Sequence, residues 1–217
     1  MGRADRAACP LRRDQRPGRA LPAEVCPFSG LADPADAGAW ADLAGLAGPG
    51  SDVFVAGSGV VPPPGWERVF SLAGLQFVDD RGRGEPEPEA VELGPADVAD
   101  VLDLVERTKP GPFRKRTVEL GSYLGIRRDG VLVAMAGERL RVPGWTEISA
   151  VCTDPAYRGA GLAARLIGAL AAGIRDRGER PFLHVAADNA TAIRLYRRLG
   201  FAVRMPVRFE AYRVPLA

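Results

Sequence analysis

The sequence predicts an α/β protein in which helices cover both faces of a mixed β-sheet. Three observations support this class. Short apolar segments bounded by turn residues have the pattern of strands. Longer segments with apolar residues three and four positions apart have the pattern of amphipathic helices. From residue 90 onward, the two patterns follow one another in the order β-α-(α)-β-β-β-α-β-α-β(-β), and this order favours one sheet with helices on both sides.

Length and composition exclude several classes of protein. The chain has 217 residues, of which 47% are apolar and 26% are charged, enough for one sizeable domain or two small lobes. Its net charge of +2 gives no strong field for nucleic acid or an acidic membrane. No apolar run approaches the ~18 residues of a transmembrane helix. We therefore expect a cytoplasmic protein with no nucleic-acid or membrane partner.

Cysteine and histidine usage gives no indication of a metal. Cys9, Cys26 and Cys152 are too widely spaced for a disulfide framework or a zinc site. His184 is the only histidine in the chain, so a metal site with several histidine ligands is excluded. We expect no bound metal.

Composition changes along the chain predict three parts. Residues 1–20 are rich in arginine and lack apolar periodicity, so we expect a poorly ordered tail. Residues 21–84 are rich in Pro and Gly and predict a smaller N-terminal lobe. The charged segment 79–90, which is also rich in Pro and Gly, is predicted to be a linker. Residues 85–217 then form the main domain.

The predicted elements of the N-terminal lobe are short. Segment 33–48 predicts a helix with Asp33 as its N-cap and Pro34 at its first position. Segments 51–57 and 72–80 have the pattern of strands flanked by turns.

The patterns are sharper in the main domain. Asp129-Gly130 lies between two strand-like segments and predicts a hairpin turn. A helix is predicted over 162–174, because leucine or isoleucine recurs there at every fourth position. The remaining elements are a strand at 90–94, a helix at 95–108, strands at 146–153 and 181–187, a helix from 189 that ends at Gly200, and one or two closing strands.

A glycine-rich loop precedes the helix at 162–174. In the stretch Arg158-Gly159-Ala160-Gly161, the glycines permit positive φ angles, so that successive backbone N–H groups can turn towards an anion. The helix adds its unpaired N–H groups and the positive end of its dipole, and Arg158 adds charge at the rim. The loop therefore predicts a phosphate or pyrophosphate site. The alternative is a tight turn from strand to helix, in which the glycines only permit the turn.

Two motifs together resemble the GNAT superfamily of N-acetyltransferases. The first is R-x-x-G-x-A, formed by Arg158, Gly161 and Ala163. The second is N-x-x-A-x-x-L-Y-x-x-x-G-F, formed by Asn189, Ala192, Leu195, Tyr196, Gly200 and Phe201. The resemblance covers roughly residues 90–217, and the C-terminal part is most similar to the FR47-like branch. It implies the GNAT fold with a twisted central sheet. The smaller N-terminal lobe is added to this fold, and a degenerate GNAT-like half is one interpretation of that lobe.

The resemblance implies acetyl-CoA as co-substrate and identifies residues that would hold it. The loop N–H groups would bind the pyrophosphate, and the strand at 146–153 would pair with the pantetheine arm where it splays from the strand at 181–187. Asn189 would cap its helix and reach the coenzyme A arm, although capping alone also explains it. The complete set is Val151, Cys152, Thr153, Arg158, Gly159, Ala160, Gly161, Leu162, Ala163, Asn189, Ala192 and Tyr196.

Acyl transfer to an amine also needs a base, an oxyanion donor and an acid. By resemblance, Glu147 is the base, the backbone N–H near Val151 meets the oxyanion, and Tyr196 protonates the leaving thiolate. Glu147 has an alternative interpretation as a solvated strand-end carboxylate paired with an arginine, and Glu138 is a weaker candidate for the base. Tyr196 has an alternative interpretation as a packing residue.

Three further residues receive mainly structural interpretations. Cys152 lacks the partners of a catalytic cysteine, and a buried strand cysteine is usually inert. His184 alternates with apolar residues on its strand, which favours a structural histidine over a catalytic one. Trp145 is interpreted as a packing residue that lies beside Glu147 in sequence and is a candidate for lining an acceptor pocket.

The expected function is therefore acetyl transfer from acetyl-CoA to a primary amine, by direct attack in a ternary complex. The acceptor would be a small molecule or a peptide, and the protein a monomer or homodimer. The alternative is a non-catalytic acyl-CoA-binding regulatory module, which would need the glycine loop but neither Glu147 nor Tyr196.

Overall fold

A computed structural model describes residues 18–22, 24–82 and 84–216. The strands are β1 (Gly18–Ala20), β2 (Ser29–Leu31), β3 (Asp52–Gly57), β4 (Glu67–Asp79), β5 (Val91–Glu92), β6 (Tyr123–Arg128), β7 (Val131–Val142), β8 (Trp145–Thr153), β9 (Arg180–Ala186) and β10 (Phe201–Arg213). The α-helices are α1 (Ala37–Ala47), α2 (Val98–Thr108), α3 (Leu162–Asp176) and α4 (Ala190–Arg198).

One eight-stranded sheet organises the described residues. Its strand order is β3-β10-β4-β9-β8-β7-β6-β5. Every pair is antiparallel except β8 with β9, which is parallel. The predicted mixed α/β class is confirmed.

Helices pack on both faces of the sheet, as predicted. Successive side chains of a strand point to opposite faces, and β7 shows the separation. Ala134 and Ala136 belong to the core that contains α3 and Tyr196 of α4. Met135, which lies between them, belongs to the core formed with α2. We call these two sides the α3 face and the α2 face.

The N-terminal part shares this sheet. Strand β4 lies between β9 and β10, and its ladder with β10 extends from Phe201–Asp79 to Arg213–Glu67. The structure therefore differs from the predicted division at residues 84 and 85, because the strands of the predicted lobe 21–84 are hydrogen-bonded to strands of the predicted main domain. The two 13-residue strands pair along their whole length, with register shifts between Val203 and Met205 and between Ala211 and Tyr212.

The predicted linker at 79–90 follows the surface of α3. Arg165 of α3 forms a two-point ion pair with Glu87, at 2.7 Å for each bond, and also contacts Glu89 at 2.5 Å. At its start, Asp79 accepts a hydrogen bond from Arg175 at 2.8 Å. The segment is thus attached to the helix at both of its ends.

The predicted tail 1–20 lies largely outside the described residues. Its last three residues, Gly18–Ala20, form β1 and pair with β2, which differs from the expectation of a poorly ordered segment. In the described part of the chain, no helix is both long and apolar enough to cross a membrane.

Local capping rules predicted both ends of α4. Asn189 caps α4 by accepting from the N–H of Ala192 at 3.0 Å, and Gly200 follows the helix with φ of 92°. The hairpin between β6 and β7 turns at Asp129-Gly130, and both residues have positive φ. The N-cap of α1 is Asp36 rather than Asp33, because Asp33 instead closes a turn with the N–H of Ala35.

Candidate functional site at a fork in the sheet

The two central strands separate after four paired residues. β8 and β9 pair in register only from Trp145–Arg180 to Ile148–Leu183. Beyond that point, β8 remains paired with β7 as far as Thr153, and β9 remains paired with β4 as far as Ala186. We call the resulting opening the fork. It leaves the facing backbone edges of the two strands without sheet partners, as the family resemblance implied.

A β-bulge lies in β8 at the fork. Met135 pairs with Cys152 and Gly137 pairs with Ser149. Ala136 on β7 is therefore opposed by two residues of β8, Ala150 and Val151. Ala150 has a φ of 53°, an unusual angle for a residue other than glycine. Such a bulge breaks the regular alternation of the strand and changes the direction of the backbone at Val151, the expected oxyanion donor.

The glycine loop, residues 158–163, begins at the open end of the fork. A short 3-10 turn at Pro155–Tyr157 connects it to β8. Gly159 and Gly161 have φ of 84° and 75°. A Cβ at either position would meet no atom within 4 Å, so it is the backbone angle that requires glycine there. Arg158, Gly159, Ala160 and Gly161 are exposed, whereas Leu162 is buried and Ala163 is half-buried.

The backbone N–H groups of this loop are available to a ligand. Those of residues 159–164 donate no hydrogen bond to any described residue; the first helical bond of α3 runs from the N–H of Arg165 to the carbonyl of Gly161. Arg158 is exposed, and its Nε donates to the carbonyl of Thr153 at 3.4 Å. The hydroxyl of Thr153 is buried and has no described partner.

Tyr196 lies on the α3 face. Its ring packs edge-on against Phe77, with 5.8 Å between the ring centroids. Burial raises the pKa of Tyr196 to about 12, so the phenol is protonated at neutral pH. Its hydroxyl makes no hydrogen bond to a described residue, which leaves the proton available to a ligand.

Glu147 lies on the α2 face in a buried ionic cluster. Arg139 Nε donates to Oε2 at 2.9 Å, and Arg139 Nη2 donates to Oε1 at 2.7 Å. His184 Nδ1 lies 2.7 Å from Oε1. Although burial disfavours the charge, the adjacent Arg139 guanidinium and the bond to His184 lower the pKa of Glu147 to about 2. We call Arg139, Glu147 and His184 the buried cluster.

Aromatic rings from distant parts of the chain enclose the buried cluster. Phe28 lies beneath the Arg139 guanidinium, 4.8 Å from ring centroid to carbon. The His184 ring meets Phe182 and Phe209 edge-on, at 5.6 and 5.8 Å. The Glu147 side chain is fully buried, in contrast to the solvated strand-end carboxylate of the alternative interpretation.

Sequence reasoning did not identify two members of this arrangement. Arg139 was not singled out. It lies opposite Glu147 at a second register shift of β7, between Glu138 and Arg141, which has no sequence signature of its own. Phe28 reaches the site from a segment 119 positions before Glu147 in the sequence. The alternation of His184 with apolar residues on its strand was the one indication of the face on which it lies.

The structure places the expected acid and the expected base on opposite faces of the fork. Ile148 and Leu183, the last paired residues, belong to the same core as Tyr196. Their neighbours Glu147 and His184 therefore point to the α2 face. A group lying in the opening between the strands can be approached from both sides.

The remaining candidates have structural environments. Cys152 is buried in the α2 core, where burial raises the pKa of its thiol to about 11. Glu138 is buried and paired with Arg141 and Arg177. The Arg180 guanidinium lies over the Trp145 ring, with its carbon 4.4 Å from the ring centroid. In the described ranges, no group of three or more His, Cys, Asp or Glu side chains is arranged to hold a metal.

A family model and a solved structure match this chain. Residues 123–214 match the model of the FR47-like protein family. A protein from Novosphingobium aromaticivorans, assigned as an acetyltransferase from the GNAT family, is 38% identical; the alignment covers 95% of this chain and 92% of that one, and the TM-score is 0.83.

Two mycobacterial proteins are also similar in sequence. The N-alpha-acetyltransferase RimI of Mycobacterium tuberculosis is 41% identical over 95 residues, which cover 42% of this chain and 58% of that protein. An uncharacterised protein of Mycobacterium leprae is 43% identical over 121 residues, which cover 50% of this chain and 33% of that protein. The chain thus spans 58% of the length of the first relative and 33% of the length of the second.

Proposed function

The chain belongs to the GNAT family of acetyltransferases, and we propose that it transfers an acetyl group from acetyl-CoA to a primary amine by direct attack in a ternary complex. The observation that carries the proposal is the fork, which opens beside a loop whose N–H groups have no described partner. An acyl thioester needs an opening of this kind, and a diphosphate needs donors of this kind.

The glycine loop would hold the pyrophosphate of coenzyme A. The N–H groups of residues 159–164 are the donors, and α3 contributes the positive end of its dipole. Arg158 adds a positive charge at the rim, and Leu162 anchors the loop in the core. Asn189 and Ala192, at the start of α4, are further proposed contacts of the coenzyme A arm.

The free edge of β8 would receive the pantetheine arm. Val151, Cys152 and Thr153 lie past the last residue that pairs with β9, so they offer backbone groups to an extended ligand as an added strand would. The N–H of Val151 is the proposed oxyanion donor, and one such donor contributes about 3–4 kcal/mol of transition-state stabilisation.

Removal of a proton from the amine depends on the carboxylate of Glu147. An alkyl amine is about 0.1% neutral at pH 7, which adds roughly 4 kcal/mol to the barrier unless a group of the enzyme accepts the proton. We propose that the buried cluster around this carboxylate supplies the general base. The ionised state enforced by Arg139 keeps the carboxylate able to stabilise a positive charge beside it.

Tyr196 is the proposed general acid for the departing thiolate. Its hydroxyl retains its proton at neutral pH because burial raises its pKa to about 12. Its position across the fork from Glu147 suits a reaction in which the amine enters from one face and the thiolate leaves towards the other. Cys152 plays no covalent part in this proposal.

The acceptor class proposed first is the α-amino group of a peptide. The support is the similarity to a mycobacterial N-alpha-acetyltransferase, which is 41% identical over the aligned part of this chain. Small-molecule amines form the second class. In either case Glu147 is fully buried, so an acceptor amine can interact with it only through the side chains that contact it.

A thiol-release assay tests the proposal. The protein is incubated with acetyl-CoA and a panel of peptides with free N-termini, lysine peptides, polyamines and amino acids, and liberated coenzyme A is quantified. We expect release with at least one class, and N-acetylated product by mass spectrometry. Thermal stabilisation by acetyl-CoA without release for any amine would instead indicate the non-catalytic acyl-CoA-binding module.

A further inference from the structure

The oxygens of Glu147 are already engaged as acceptors. Oε1 accepts from Arg139 and His184, and Oε2 accepts from Arg139. The side chain has no solvent exposure. A proton placed on this carboxylate would remove charge-assisted bonds that are the strongest class of hydrogen bond in proteins. The cluster is therefore poorly suited to storing the proton on Glu147 itself.

The second nitrogen of the His184 imidazole carries a lone pair and is hydrogen-bonded to Gln76. Nδ1 faces an ionised carboxylate, so Nδ1 carries the hydrogen and Nε2 has a lone pair. Nε2 lies 3.0 Å from Gln76 Nε2. Arg204 donates to Gln76 Oε1 at 2.7 Å, which orients the Gln76 amide so that its NH2 faces the imidazole. The Gln76 N–H therefore occupies the lone pair of Nε2, and an acceptor amine must displace it before Nε2 can take the amine proton.

His184 occupies the right place along the strand. It is the first residue of β9 after Leu183, the last one paired with β8. Its side chain is about 10% exposed, whereas that of Glu147 is not exposed. Imidazole is also the side chain whose ordinary pKa lies nearest to neutral pH.

Few charged groups approach this imidazole. Glu147 contacts it from β8, with Arg139 of β7 behind that carboxylate. Arg204 of β10 approaches through the neutral Gln76 of β4. Phe182 and Phe209 cover the ring edges. Protonation at Nε2 would place an imidazolium directly against the Glu147 carboxylate.

We propose that His184 accepts the proton of the acceptor amine at Nε2, and that Glu147 is a positioning residue that orients the imidazole and balances its charge. The inference rests on the proposed acetyltransferase function. One N–H bond of the ammonium breaks and that proton bonds to Nε2, and the freed electron pair of nitrogen forms the C–N bond to the acetyl carbon. The second proton that nitrogen loses as the amide forms passes to solvent. The C–S bond then breaks, the thiolate takes the proton of Tyr196, and the imidazolium returns its proton to the tyrosinate through solvent.

The substitution His184→Asn separates this proposal from a structural role. The asparagine amide nitrogen lies close to the position of Nδ1, so it can still donate to Glu147, but nothing replaces Nε2. We expect kcat/KM to fall about 100-fold at pH 7, within the range of general-base contributions, and the dissociation constant of acetyl-CoA to change less than about twofold. Retention of kcat/KM within about threefold would overturn the proposal.

The pH profile sharpens this test. The dependence of kcat/KM on pH should differ between the wild type and His184→Asn. The deficit of the variant should shrink at high pH, because the neutral fraction of the amine rises about tenfold per pH unit below its pKa. A deficit that is constant with pH would contradict a base role.

Because His184 is the only histidine, nuclear magnetic resonance reads its imidazole without overlap in the tag-free protein. Nitrogen-15 shifts should identify the Nδ1–H tautomer in the wild type and a changed tautomer balance in Glu147→Gln. A wild-type Nε2–H tautomer would overturn the assignment whether or not an acceptor is known. Absence of thiol release by the wild type with every amine would overturn the proposed function, whereas full activity of His184→Asn would overturn only the role of His184.

Discussion

The glycine loop and the buried cluster lie on either side of the same fork, and they are held in place differently. The loop is exposed, and its shape follows from two positive φ angles at Gly159 and Gly161. The cluster is buried, and its geometry follows from three side chains on three strands, Arg139, Glu147 and His184. A ligand-binding backbone can therefore be specified locally, whereas a group that accepts a proton depends on long-range packing.

The largest effect should come from breaking the charge balance of the buried cluster. Arg139→Met leaves a buried carboxylate without its main partner, and removal of one member of a buried pair typically costs about 3–5 kcal/mol. Urea unfolding of the variant should show this loss, and the double variant Arg139→Met, Glu147→Met should recover most of it.

The matched control is Arg213→Met, which removes an arginine paired with the exposed Asp52. Exposed pairs contribute about 0–1 kcal/mol. Equal losses in the two arginine variants would contradict the conclusion that burial makes the Arg139 pair important.

Removal of the proposed acid should affect turnover and leave stability nearly unchanged. Tyr196→Phe should lower kcat about 100-fold, equivalent to about 3 kcal/mol, and should leave acetyl-CoA affinity within about twofold. Tyr123→Phe is the control, because the Tyr123 hydroxyl is buried without a described partner. Unchanged kcat in Tyr196→Phe, measured under single-turnover conditions, would remove Tyr196 from the mechanism.

Stability should depend on pH through Glu147. Its folded-state pKa of about 2 lies below its ordinary value of 4.5, so its stabilising effect is present above pH 4.5 and is lost as the pH falls towards 2. The unfolding free energy of the wild type relative to the double variant Arg139→Met, Glu147→Met should fall by about 2 kcal/mol between pH 6 and pH 3. A difference that does not change with pH would show that Glu147 is not ionised in the folded protein.

Gly161→Ala in the glycine loop should have the smallest effect on the free energy of unfolding and a clear effect on acetyl-CoA binding. Gly161→Ala forces alanine to a φ of 75° and should cost about 1 kcal/mol of stability. Its acetyl-CoA affinity, measured by calorimetry, should fall at least about tenfold because the N–H groups shift.

Gly178→Ala is the control for the loop variant. Gly178 follows the other end of α3 with a φ of 76° and has the same open surroundings. The stability cost should be similar and the affinity unchanged. Equal affinity losses in both variants would mean that the loop acts only through the stability of α3.

Much of the architecture could be predicted because its signals are local. The hairpin at Asp129-Gly130, the cap at Asn189 and the end of α4 at Gly200 follow from backbone and capping preferences. The divergence of β8 from β9 was expected from the family resemblance and agrees with the observed pairing. The roles of Glu147 and Tyr196 stay predictions.

Other features could not be predicted from neighbouring residues. The insertion of β4 between β9 and β10 depends on pairing across more than 100 positions. The contact between the Phe28 ring and the Arg139 guanidinium depends on where the segment before α1 crosses the α2 face. His184 was interpreted as structural because strand alternation fixes the face of a side chain but not the partners it meets there.

The α/β class, the glycine loop and the order of the strands around it follow from the amino-acid sequence, because each depends on periodicity or on backbone angles that a few adjacent residues fix. The charges that meet at the fork depend instead on how the strands assemble. An ion pair between strands depends on register, bulges and burial, and a shift of one residue in β7 or β8 would turn Arg139 or Glu147 to the opposite face. The chemistry on the α2 face is therefore a property of the assembled sheet.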